Sequence, residues 1–280
     1  MGKPREVSTA KDGPASGHLP LLEHPLDAPS AFTPEALVDA VRASRRLKPS
    51  PIPRVSVLEF DGDLTDWLVS SGEARPLDAW ACFHTTMYSF IVDDVVFGIV
   101  PRTIGGPFAV LAAEQVAVSG GRLVLGLTSA GRVAPSMPVP GLVVASRAIR
   151  DEGTSYHYLP RAPAIDAPRA VANLLASELR TLKLPVLSGT VWTTDAPYRE
   201  TQRQLAIHGK AGVLAVEMQA ASLFAFSKAR SFPVGLVAHV TNSTLDQKRD
   251  DFEKGSRQLQ VEILKRICRA GNKFFSSTKP

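Results

Sequence analysis

From Val55 onward, short apolar runs of strand length alternate with stretches of helical length, and this alternation leaves few folds open. Val55–Phe60, Leu123–Leu127, Leu142–Ile149, Val186–Thr193, Val213–Val216 and Val234–Val240 read as buried strands. Leu64–Val69, Pro107–Ser119, Pro168–Leu182, Tyr198–His208 and Ala220–Arg230 read as helices between them, and Lys248–Phe274 as a long terminal helix with charged faces. Strands that are apolar on both sides need cover on both faces. The pattern therefore predicts an α/β fold: a single-domain three-layer sandwich with a central, mostly parallel sheet covered by helices. Trp80–Met87 and Tyr88–Val92 read as further strands, with Asp93-Asp94 turning a hairpin into Val95–Val100.

Ahead of this body the chain divides into two parts. Residues 1–20 are polar and rich in Gly, Pro and Ser, and read as a disordered tail. Residues 21–53 read as a helical arm that packs on the domain or on a neighbouring subunit. Thr33 suits an N-cap, Pro34 the first helical position and Glu35 the first turn. The prolines at 49, 51 and 53 end the helix. Residues 54–280 form the α/β domain.

Charge and composition exclude several classes. The net charge is +5, from 32 basic and 27 acidic residues. The basic residues are scattered, with only short runs such as Arg45-Arg46 and Lys265-Arg266, so no nucleic-acid partner is expected. No apolar run reaches the roughly 18 residues of a membrane span. Two cysteines are too few for a disulfide framework, and a cytoplasmic setting is expected. No signal-peptide core, cofactor or metal site is evident.

In open α/β sheets, ligands collect beyond the carboxyl ends of the strands. Five segments of this chain lie there. Gly105-Gly106-Pro107-Phe108-Ala109 opens a helix. Leu127-Thr128-Ser129-Ala130-Gly131 follows a strand, where a turn of backbone amides with a hydroxyl suits an anion. Arg150-Asp151-Glu152-Gly153-Thr154-Ser155-Tyr156-His157 follows the next strand. Thr193-Thr194-Asp195-Ala196-Pro197-Tyr198-Arg199-Glu200 follows another. Val216-Glu217-Met218-Gln219-Ala220 sets a carboxylate at a strand end, where burial is costly unless it is paired. Each segment alone also fits an ordinary turn, cap or helix start.

Together, in this order, they resemble the nucleoside phosphorylase superfamily, with the segment ending at His157 closest to uridine phosphorylases. The resemblance spans about residues 54 to 245. It implies a mixed sheet, a homodimer or dimer-based hexamer, and cleavage of the bond between a ribose and a nucleobase. By this resemblance Glu217, Met218 and Gln219 hold the ribose, and Glu217 and Asn242 are the catalytic candidates. Thr194, Asp195, Arg199, Asn242 and His157 face the base. Gly62, Asp63, His84, Gly106 and Ser129 face the phosphate or water side.

The chain also departs from the family pattern. Where family phosphorylases place three arginines on phosphate, this chain has Asp66, Gly126 and Cys82. Charge-assisted hydrogen bonds contribute about 1.5–3 kcal/mol each, so impaired phosphate use is expected unless Arg102, Arg132 or Arg150 compensates. Asp63 and His84 are the candidates for activating water instead. The family's second glutamate is Gln219 here, and Asn242 stands where purine-cleaving members have an aspartate. Asparagine donates to a carbonyl but is no general acid, which favours a pyrimidine or other oxo-substituted base. Three readings stay open: phosphorolysis of a nucleoside, hydrolysis by a nucleosidase, and nucleoside or nucleotide binding without turnover.

Overall fold

The structure is a computed structural model that describes residues 19–23, 25–243 and 254–277. Residues 1–18 of the expected tail and residues 248–253 of the expected terminal helix lie outside these.

β1 (Val55–Glu59) is buried at every position because its side chains enter the apolar clusters on both faces of the sheet. It runs parallel to β4 (Val95–Pro101) and to β5 (Leu123–Arg132). β3 (Tyr88–Val92) and β2 (Ala74–Pro76) continue that edge in antiparallel fashion. Asp93 and Asp94 both take positive φ in the tight turn between β3 and β4, the backbone a two-residue hairpin requires.

Beyond β5 the sheet closes on itself. β10 (Val234–Ser243) runs parallel to β5, and β6 (Gly141–Asp151) antiparallel to β10. β8 (Val186–Thr194) is parallel to β6 and to β9 (Ala215–Glu217), which returns antiparallel to the end of β5. β7 (Ala164–Asp166) lies on β6. The sheet is mixed, and its longest ladders are parallel.

Helices cover both faces. α3 (Gly106–Val118) and α6 (Ala220–Arg230) pack together over one apolar cluster that includes Val116, Phe224 and Phe226. α4 (Arg169–Leu179) and α7 (Arg257–Ser277) cover a second cluster with Leu175, Leu179, Ile263 and Ile267. α1 (Pro34–Arg45) is capped by the Thr33 hydroxyl, which accepts from Ala36 N at 3.2 Å. Its buried Val38 and Val41 meet Ala81, with Val118 of α3 packed alongside. α2 (Asp63–Ser70) follows β1, and α5 (Gln202–Lys210) opens with a capping box of Thr201 and Gln204.

Four local expectations change, the first being that among the described residues the terminal helix begins at Arg257, with residues 254–256 outside it. Trp80–Met87 is not a strand. Trp80, Ala81 and Cys82 are buried in a loop tied by Trp80 Nε1 donating to Thr85 Oγ1 at 2.8 Å, so the apolar run signalled burial rather than pairing. Thr128–Gly131 is not a turn after a strand: pairing with β10 and β9 prolongs β5 to Arg132. The helix expected from Tyr198 starts at Gln202, after a short 3-10 turn over Pro197–Arg199, because the Thr201 cap sets its start.

The prolonged β5 creates the opening that matters. On one flank its pairing with β1 ends at Leu127, and its pairing with β9 starts only at Gly131. Thr128–Ala130 therefore meet no strand on that flank, and their polar groups turn to side chains instead.

Candidate active site

Around that gap lies an open cleft of about 410 Å³ at the ends of β5, β9 and β10. It brings together five residues singled out in the sequence: Ser129, Glu217, Met218, Gln219 and Asn242. Asp61, Tyr198, Glu200 and Thr241 share its walls.

Glu217 ends β9 and is 4% exposed. Its carboxylate accepts from Thr193 Oγ1 at 2.5 Å, Gln219 N at 2.6 Å and Ala220 N at 2.8 Å. The last two donors belong to the start of α6, where amides lack helical partners. Burial pushes the Glu217 carboxyl up to about 7, against these donors. All three are neutral, so none offsets the loss of water with an opposite charge. Gln219 is buried beside it, and Met218 is half-buried on the cleft wall. Asn242 reaches the cleft through a bulge in β10 between Val240 and Asn242.

At the other end of the cleft the chain supplies its own anion. Asp61 accepts from Ser129 Oγ at 2.8 Å through Oδ1 and from Ser129 N at 3.1 Å through Oδ2. Lys254 Nζ lies 3.0 Å from Asp61 Oδ2 and 2.6 Å from Asp63 Oδ1. Arg257 completes the cluster at 3.1 Å from Asp63. Burial raises the Asp63 pKa, but Lys254 and Arg257 outweigh it, and the carboxyl ends below its ordinary value. A second, small cavity adjoins the cleft through Asp61, Thr128 and Ser129, and Asp63, Lys254 and His239 also line it. His239 is 5% exposed. Burial, reinforced by Lys254, lowers its pKa to about 4, so the ring is neutral.

The other expected phosphate-side residues stand elsewhere. Gly62 gives its N–H to Glu59 Oε1 at 2.7 Å. Its φ of +89° and the Arg102 side chain packed against it leave no room for a Cβ. Gly106 permits close approach of α3 to α6: a Cβ there would fall 2.2 Å from Ser222 Oγ. His84 is exposed on the loop before β3 and does not line the cleft. Asp63 lines the small cavity only.

Of the arginines weighed as substitutes, Arg102 and Arg150 are engaged elsewhere, and Arg132 does not line the cleft. Arg102 makes a bidentate pair with Asp66. Arg150 donates to Ser155 Oγ and to the carbonyls of Leu159 and Pro160. Gly126 is enclosed by Phe60 and Leu236, so no arginine fits there.

Thr194, Asp195 and Arg199 gather in a neighbouring hollow of about 430 Å³, which Leu21 also lines. Thr194 Oγ1 accepts from Ala196 N, and Asp195 from Gly153 N at 2.8 Å. His157 is exposed on the turn over Thr154–His157 and lines neither space. Glu200 borders both spaces, and burial alone pushes its carboxyl up to about 7.

Glu200, His239 and Lys254 were not singled out in the sequence. His239 left a trace, as the polar residue inside an otherwise apolar strand. Lys254 left none, because the fold brings it to Asp63 across 191 positions.

A family model described as the phosphorylase superfamily matches residues 65–270, which carry Ser129, Glu217 and Asn242. The chain belongs to the phosphorylase superfamily. Its similarity to guanosine phosphorylase of Halorubrum lacusprofundi is 30% identity over 172 residues, covering 59% of this chain and 70% of that protein. Uridine phosphorylases of Klebsiella aerogenes and Escherichia coli K12 are each 23% identical, over 185 and 186 residues. Both alignments cover 61% of this chain and 73% of the relative. Members of one superfamily reuse a fold with different site chemistry, so this chain's own cleft governs the reading of its reaction.

Proposed function

We propose that the cleft binds a nucleoside and breaks the bond between its ribose and its base. The observation that carries this reading is the convergence of Ser129, Glu217, Met218, Gln219 and Asn242 on one cleft, from three different strand ends. Ionised Glu217 accepts hydrogen bonds from ribose hydroxyls, with Met218 against the sugar and Gln219 beside it. As the bond to the base breaks, positive charge develops on the sugar ring, and the Glu217 carboxylate stabilises it in a site with little water. Gln219, being neutral, adds less than a carboxylate would.

Asn242 and Glu200 face the base. The Asn242 amide donates to a ring carbonyl, and protonated Glu200 donates a proton to the departing base. This suits a pyrimidine or another oxo-substituted base. Arg199, Thr194 and Asp195 extend the base side into the adjoining hollow, while His157 has no part in a cleft formed by one chain. Phosphate use is impaired, because Asp61 already occupies the donors of Ser129.

The test is a panel of pyrimidine and purine nucleosides, incubated with and without phosphate and assayed for free base. Release of base from at least one oxo-substituted nucleoside is expected. Saturable binding without release would instead establish a binding protein, and neither binding nor release would remove the reading.

A further inference from the structure

Ser129 offers two donors, its amide and its hydroxyl, on the flank of β5 where no strand pairs. Paired donors of this kind suit an oxyanion. Here both point at the Asp61 carboxylate, one to each oxygen. Lys254 supplies the counter-charge, and Asp63 holds Lys254 in place. Neutral His239, close by, adds no second positive charge.

We propose that Asp61 is a built-in anion that fills the phosphate seat of the cleft and serves as the base that activates water. This deepens the reading of the cleft as a nucleoside-cleaving site and rests on it for the second half.

The arrangement suits both roles. A free phosphate must displace a carboxylate held by two hydrogen bonds and an ammonium group, and tethering gives that carboxylate a high effective concentration. A carboxylate has about four lone-pair positions. Ser129 and Lys254 engage three, which leaves one for a water in the cleft. In the reaction, the water oxygen bonds to the sugar carbon as the carbon–nitrogen bond breaks. One water proton passes to Asp61, and the bonding pair leaves with the base, which takes a proton from Glu200. The products are free ribose and free base. The small cavity behind Asp61, about 20 Å³, is large enough for one water. His239 lines it, and its buried Nε2 has no hydrogen-bond partner among the described residues. A water there links His239 to Asp61 and gives the proton a place to go after the base has left.

Two measurements test this. The first needs no nucleoside: inorganic phosphate is titrated into the folded full chain and followed by phosphorus NMR. The wild type should show no millimolar binding. Asp61→Ala should bind phosphate, using Ser129 and a freed Lys254, and Asp61→Ala with Lys254→Ala should lose it again. Phosphate binding by the wild type that Ser129→Ala removes, or none by Asp61→Ala in a chain with native circular dichroism, would overturn the seat. The second uses a nucleoside that the wild type cleaves in 18O-labelled water. Label should enter ribose, with no ribose 1-phosphate formed, and Asp61→Asn should lower kcat by about 100-fold with little change in KM. Ribose 1-phosphate as product, or an unchanged kcat in Asp61→Asn, would overturn the role as base. If no nucleoside is cleaved, the functional reading fails, while the phosphate titration still decides who occupies the seat.

Discussion

Glu217 and Asp61 are carboxylates on the walls of one cleft, and their surroundings treat them in opposite ways. Glu217 is held by a threonine hydroxyl and two backbone amides, all neutral. Asp61 is held by the two donors of Ser129 and by the ammonium of Lys254. Neutral donors leave a buried carboxyl free to take up a proton near neutrality, and Glu217 is accordingly pushed up to about 7. A cation favours the ionised form instead, as Lys254 and Arg257 do for Asp63 in the same cluster. One end of the cleft is thus a carboxylate with only neutral donors around it. The other is a carboxylate with an ammonium group beside it.

The sharpest break of this comparison is loss of Glu217. Glu217→Ala should lower base release by more than about 100-fold, since it removes the charge facing the developing cation. It should also reduce stability by about 1–3 kcal/mol, because three donors lose their acceptor. Equal turnover by the variant and the wild type in a free-base assay would remove Glu217 from the site.

The pH profile of turnover sharpens the same contrast. Glu217 acts ionised and Glu200 protonated, and both lie at about 7. The rate should therefore peak near neutrality. Glu200→Gln should remove the alkaline fall, and Glu217→Gln the acid rise. A flat profile between pH 5 and pH 9, on the order of two units either side of that peak, would separate both groups from catalysis.

Stability against pH should split the two ends by sign. The folded pKa of Glu217 is raised, so its contribution is full below its ordinary value of 4.5 and is lost as pH rises through about 7. The folded pKa of Asp63 is lowered, so its contribution is present above its ordinary 3.8 and is lost as pH falls through the lower folded value. The Tm of the wild type relative to Glu217→Gln should fall between pH 4.5 and 7. Its Tm relative to Asp63→Asn should fall only in more acidic solution. The same direction for both pairs would show that the two ends are not distinct.

The smallest effect is expected away from both carboxylates. Deleting residues 1–18, whose composition builds no core, should leave Tm and turnover unchanged. A clear loss of turnover would tie that segment to the adjoining hollow, where Leu21 stands.

Much of the fold was legible because burial writes itself into local pattern. The helix over Ala220–Arg230 lies where its sequence places it, and α1 begins at the Thr33 cap and Pro34. Trp80–Cys82 misled because an apolar run reports only that side chains are buried, not that the backbone pairs. The grouping at the Glu217 end was legible for a similar reason: Glu217, Met218 and Gln219 are consecutive, at a junction of strand and helix.

The anion end was not, since it depends on partners far apart in the chain. Asp61 reaches Ser129 across 68 positions, and Lys254 reaches Asp63 across 191. Periodicity and capping are short-range, so the sequence by itself determined the alternation of strands and helices, the strand-end motifs and the presence of Asp66, Cys82 and Gly126 where the resemblance leads one to expect arginines. Only the tertiary structure decided what stands against Ser129. Closure of the sheet ended β1 and β9 on either side of Ser129, left its donors unpaired by any strand, and placed an aspartate of the same chain on them.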